Sequence, residues 1–86
     1  MAKVTIRYWA AAKEAAGTPE EAVEAATLAD ALNVAIATRA PDSRIRDVLA
    51  RSSFLVDATR ANRALADTVT LRDGAVIEVL PPFAGG

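Results

Sequence analysis

From Lys3 to Trp9 the side chains alternate, with Val4, Ile6 and Tyr8 on one face and Lys3, Thr5, Arg7 and Trp9 on the other. A period of two is that of a strand with one dry side. The alanine-rich stretch from Ala10 reads as a helical turn closed by Gly17, which is free to take a positive φ. Pro19 permits an extended start, and Glu21 to Ala26 forms a second strand anchored on Val23, held mainly by pairing with the first.

The period then changes. Leu28, Leu32, Ala35, Ile36 and Arg39 follow i, i+4, i+7, i+8 and i+11 spacing, and the first four make one apolar stripe. Thr27 and Asp30 open this helix as a capping box in which Asp replaces the usual Glu or Gln. Pro41 breaks the pattern. Asp42 or Ser43 caps a shorter helix with Ile45, Val48 and Leu49 on its inner face.

Phe54-Leu55-Val56 opens a third strand expected to run towards Ala61, with a turn at Asn62-Arg63 and a short return strand at Ala64-Leu65-Ala66. Asp73-Gly74 is a tight turn before the last strand, Val76 to Leu80. That strand is apolar on both sides, as expected in the middle of a covered sheet. Two strands, a helix, a helical insert and further strands predict an α+β domain, a mixed sheet with its helices on one face.

Composition refines this picture. Of the 45 apolar residues 21 are alanine, so only 24 larger ones build the core. Eighty-six residues make one domain, burying roughly 60–65% of its unfolded surface. Ten basic and eleven acidic side chains leave a net charge of −1, which argues against a nucleic-acid binder. No apolar run is long enough to span a membrane and the start does not read as a signal peptide, so a cytoplasmic protein is expected. The sequence has no Cys and no His, which excludes disulfides, thiol catalysis, the usual zinc sites and Ser-His or Cys-His nucleophile pairs. If the chain takes part in covalent chemistry, it supplies a reactant and another protein supplies the catalyst.

The candidate chemistry lies in the last six residues, Pro81-Pro82-Phe83-Ala84-Gly85-Gly86. Neither proline can donate to a sheet ladder, so the last strand stops near Leu80 and the tail projects beyond it. Residues 1–80 are therefore expected to form the domain and 81–86 a protruding tail. Gly85 and Gly86 lack Cβ atoms and can thread a slot too narrow for other residues. The group they would deliver is the carboxylate of Gly86. The bland alternative is a frayed terminus.

Several stretches together resemble the MoaD-like sulfur-carrier proteins, the small subunits of molybdopterin synthase, within the ubiquitin-like β-grasp superfamily. They are Val4-Thr5-Ile6-Arg7-Tyr8-Trp9-Ala10, Lys13 to Gly17, Thr27 to Leu32, Asn62, Leu71 to Ile77 and the Pro-Pro-x-x-Gly-Gly ending. Trp9 stands at the family's usual Phe, Lys13 at its Arg, Ala61 at a Val and Ala75 at the second Asp of its Leu-x-Asp-Gly-Asp-x-Val stretch. The ending is the specific part, and the departures leave it intact.

The resemblance implies a β-grasp fold and a mechanism. An activating adenylyltransferase/sulfurtransferase of the MoeB kind would use ATP and magnesium to join the Gly86 carboxylate to AMP. A persulfide sulfur would then displace AMP, leaving a thiocarboxylate. That sulfur would be donated in the active site of a MoaE-like large subunit to the precursor of molybdopterin. Pro81 and Pro82 would stiffen the exit, Phe83 and Ala84 would contact a partner groove, and Gly85 would give clearance. No cofactor is expected on this chain itself. A carrier for thiazole or cysteine synthesis, a protein modifier, and a β-grasp interaction module with an inert tail are the competing readings. The Pro-Pro ending and the insert at residues 41–51 favour the molybdopterin reading over a thiazole carrier. Trp9 is either an outward interface anchor or a side chain packed beneath the Ala10–Gly17 segment.

Overall fold

The computed structural model describes residues 1–82. Strand β1 (Ala2–Tyr8) is followed by helix α1 (Ala10–Ala16), strand β2 (Glu20–Ala25), helices α2 (Leu28–Ala37) and α3 (Ile45–Arg51), strands β3 (Ser53–Val56) and β4 (Thr59–Ala61), a 3-10 helix (Arg63–Thr68) and strand β5 (Val76–Leu80). The five strands form one sheet in the order β2-β1-β5-β3-β4. β1 and β5 run parallel; the other neighbours are antiparallel. The expected mixed sheet with helices on one face is what forms.

The period-two reading of β1 holds residue by residue. Val4, Ile6 and Tyr8 are buried under the helices, while Lys3 and Arg7 are exposed and Thr5 is half-buried. Ile77 and Val79 of β5, Val23 and Ala25 of β2, and Phe54 of β3 complete the buried face. Leu28, Ala31, Leu32 and Ala35 lay α2 onto it, and Ile45 and Leu49 are buried where α3 packs against α1 and α2. Thr27 Oγ1 accepts from the Asp30 N–H at 3.2 Å, so the predicted cap forms. At α3 the expected side-chain cap does not form: the N-cap position is Arg44, without a side-chain cap hydrogen bond, and Ser43 Oγ, one residue earlier, accepts from the Ile45 N–H at 3.2 Å. Gly17 ends α1 at φ 78°, with its N–H donated to the Lys13 carbonyl.

Three further expectations are corrected. The strand from Phe54 does not reach Ala61: Asp57 (φ 50°) and Ala58 (φ 68°) form a two-residue turn, so the segment is a hairpin. Both turn residues take the left-handed conformation that suits a tight hairpin, although neither is glycine. The predicted return strand at 64–66 is 3-10 helix instead, because Asn62 Oδ1 accepts from the Ala64 N–H at 2.9 Å and caps a helical turn. Finally, β5 is central but not covered on both sides: Val76, Glu78 and Leu80 are only half-buried. Among the described residues no helix or strand layer covers the second face of the sheet.

Candidate functional site

Because β1 and β5 are parallel and adjacent, both end at the same rim of the sheet. Tyr8 lies opposite Val79, and the Trp9 N–H donates to the Val79 carbonyl at 3.3 Å. On the other side Ser53, at the start of β3, lies opposite Leu80. Val79 is thus held between two neighbours and Leu80 by Ser53, and Pro81 and Pro82 follow outside the sheet, half-buried and exposed respectively. The expected stop at Leu80 is in place. Phe83, Ala84, Gly85 and Gly86, which carry the predicted partner contacts and the reactive carboxylate, lie outside the described residues.

Two surfaces meet at this exit. On the helix side, Ala10, Lys13, Gly17, Pro19 and Pro82 line a shallow, mostly apolar groove. Ala10 adopts φ 48°, an unusual backbone state for a residue with a Cβ, directly after Trp9. On the open-face side stands Trp9, 44% exposed. Arg7 lies over its ring, 5.2 Å from the centroid, and reaches Glu20 at 4.0 Å. Trp9 is therefore the outward side chain of the two alternatives, although it belongs to the N-terminus of α1 and not to β1. Its large apolar ring beside a cation is the kind of exposed group that anchors an interface.

A second cluster, which sequence reasoning missed, pins this end of the molecule from inside. Arg39, just after α2, pairs with Glu21 at 2.8 Å, and its side chain is only 13% exposed. It donates from Nε and Nη2 to the Ala16 carbonyl at 3.2 and 3.1 Å, and from Nη1 to the Ala35 carbonyl at 2.8 Å. One guanidinium thus satisfies free carbonyls near the ends of α1 and α2, where the helix dipoles favour a cation. Tyr8 donates its hydroxyl to Glu21 and lies beneath Arg39, 5.5 Å from ring centroid to guanidinium carbon. Burial first, and then the Glu21 carboxylate, push the Tyr8 phenol well above its ordinary value, with Arg39 opposing. The available signal was phase: Arg39 continues the buried stripe Leu28, Leu32, Ala35, and a charge in register with a core must find partners.

Among the described residues no group of three His, Cys, Asp or Glu is placed to hold a metal ion. Lys13 and Glu14 are solvent-exposed, and Asp73-Gly74 is a turn whose Asp carboxylate accepts from the Lys3 N–H at 2.9 Å. What the arrangement offers is a firmly held exit rim with an aromatic anchor beside it.

Over residues 6–86 the chain matches the family model described as the ThiS family. It belongs to the ThiS family. This is a family of ThiS- and MoaD-like sulfur carriers and ubiquitin-like modifiers. Among curated proteins no sequence matches the chain. Among solved structures it is similar to small archaeal modifier protein 1 from Methanosarcina acetivorans, with TM-score 0.82 and 24% identity over 100% of this chain and 98% of that one. It is also similar to a putative molybdopterin converting factor subunit 1 from Pyrococcus furiosus, with TM-score 0.71 and 21% identity over 95% and 99% of the two chains. A third likeness is to a chain in the complex of subunits 1 and 2 of molybdopterin-converting factor from Helicobacter pylori, with TM-score 0.69 and 20% identity over 98% and 99%. At these identities the likenesses establish the fold, which is the ubiquitin-like β-grasp expected from the sequence. No helix among the described residues is long and apolar enough to cross a membrane.

Proposed function

We propose that this ThiS-family chain is a sulfur carrier for molybdopterin synthesis, with Gly86 as the residue that carries the sulfur. The observation that supports it best is the exit. The central strand ends at Leu80, which pairs with Ser53 just after the Trp9 N–H has closed on the Val79 carbonyl, and two prolines lead away from the sheet beside an exposed aromatic anchor. A tail launched from so rigid a base can be aimed into another protein without disturbing the core.

The chemistry assigned to Gly86 is acyl activation. A carboxylate is a poor electrophile, since it is anionic and lacks a leaving group. In the proposed route a MoeB-like activating enzyme, using ATP and magnesium, transfers AMP to a Gly86 carboxylate oxygen and releases pyrophosphate. A persulfide sulfur of that enzyme or of a sulfurtransferase then attacks the acyl carbon, and AMP departs. Cleavage of the resulting acyl disulfide by a thiol leaves the thiocarboxylate. Within a MoaE-like large subunit this sulfur would pass to the pyranopterin precursor. Pro81 and Pro82 stiffen the exit, Phe83 and Ala84 contact the partner, and Gly85 clears the channel.

The test is reconstitution. The thiocarboxylated protein, mixed with the large subunit from the same source and the cyclic precursor, should yield molybdopterin, and the unmodified protein should not. A modifier reading is favoured by the fit to small archaeal modifier protein 1. In that case the activated Gly86 carbonyl would instead be joined to lysine amines, and the same mixture would give no pterin product. Covalent adducts on other proteins, with no pterin formed, would replace the first reading by the second.

A further inference from the structure

We propose that the free edge of β4, with Arg60 and Arg63, is a docking strip for an extended acidic segment of the enzyme that activates the tail. This deepens, and rests on, the sulfur-carrier reading.

β4 is the last strand of the sheet, and among the described residues nothing pairs with its outer side. In a two-residue hairpin the residues flanking the turn, Val56 and Thr59, exchange the ladder hydrogen bonds. Alternation then points the N–H and C=O of Arg60 out of the edge. A backbone donor and acceptor therefore stand free beside an exposed guanidinium. Arg63, the first residue of the 3-10 helix, lines the same open groove together with Ser53 and Asn62. Among the described residues neither arginine makes an ion pair; the pairs formed are Arg7–Glu20 and Arg39–Glu21.

The location fits the exit. Ala61 lies opposite Phe54 and Ser53 lies opposite Leu80, so the groove opens at the rim from which Pro81 and Pro82 leave. An added strand would take its affinity from main-chain hydrogen bonds, and carboxylates on it would answer the two arginines. The opposite edge carries the reverse charge: on β2, Glu20 and Glu24 are exposed. One sheet thus has an acidic border and a basic one, which orients a partner.

The experiment measures thiocarboxylate formation by the activating enzyme from the same source, with this protein as the varied substrate. For the R60E/R63E variant KM should rise about tenfold or more with kcat unchanged, as expected for lost rim charges. The R60Q/R63Q variant should show a smaller rise and a flatter dependence of KM on salt. R72E, at the opposite end of the sheet beside Asp73-Gly74, serves as control and should behave as the wild type. Thermal melts of each variant establish folding, and the Gln pair decides the matter if the Glu pair is unfolded. Wild type activated, with an unaltered KM in the folded variants, overturns this inference and leaves the sulfur-carrier reading standing. Wild type that is never activated overturns both. Self-association of the protein alone, abolished in R60E/R63E, would make a second copy's acidic β2 the occupant and would also overturn it.

Discussion

Replacing Arg39 by Met should cost about 2–4 kcal/mol of stability. Met keeps an aliphatic cover over Tyr8 and removes the guanidinium. Three charge-assisted hydrogen bonds to the Ala16 and Ala35 carbonyls and the 2.8 Å pair with Glu21 are lost. Breaking a fully buried pair costs roughly 3–5 kcal/mol, and a single charged hydrogen bond about 1.5–3 kcal/mol. The side chains here are 13% and 25% exposed, so water takes part of the load and the lower figures apply. In a domain of this length each kcal/mol shifts Tm by roughly 4–8 °C, so the expected fall is roughly 8–32 °C. Urea titration followed by far-UV circular dichroism at neutral pH gives the free energy directly. A cost below about 1 kcal/mol, the median worth of a surface pair, would refute the reading of Arg39 as the clamp between α1, α2 and β2. A double-mutant cycle with Tyr8→Phe should show coupling, since both side chains meet on Glu21.

Two further outcomes follow from the same geometry. Tyr8 is favoured in its protonated form by the fold, while in the unfolded chain it titrates near about 10. Its contribution is therefore complete below that pH and is lost as pH rises above it, so the alkaline fall in stability should flatten in Tyr8→Phe; an unchanged slope would contradict the burial and carboxylate effects on the phenol. Ala58 holds φ 68° in the hairpin turn, and Ala58→Gly should stabilise by about 0.5–1 kcal/mol, read from the same urea titration, with a loss of stability showing that the turn is unstrained.

How far the sequence foretold this molecule depends on the range of each interaction. β1, α2, the Thr27 cap and the stop at Leu80 were legible because each rests on neighbours a few residues apart. The 57–58 turn was not, since its residues carry no glycine signal and only the pairing of β3 with β4 fixes their backbone. Asn62 was read as a turn residue because that habit is local; that it caps a 3-10 helix depends on that helix packing against α2. The open second face of β5 was hidden for a related reason. Val76 and Leu80 are apolar, and sequence does not say whether the layer above them is the domain's own or absent. Of the exit, the stop at the prolines was legible, the outward placement of Trp9 was one of two open alternatives, and the Tyr8–Glu21–Arg39 cluster was not legible, its members being brought together from residues 13 to 31 positions apart.

Intact-mass spectrometry after incubation with the activating enzyme, ATP, magnesium and a persulfide source tests the central claim most directly. The account predicts a gain equal to the difference between sulfur and oxygen, located by fragmentation at Gly86 and lost when Gly86 is deleted. An unchanged mass, with an enzyme shown to be active on a carrier it is known to load, would contradict it.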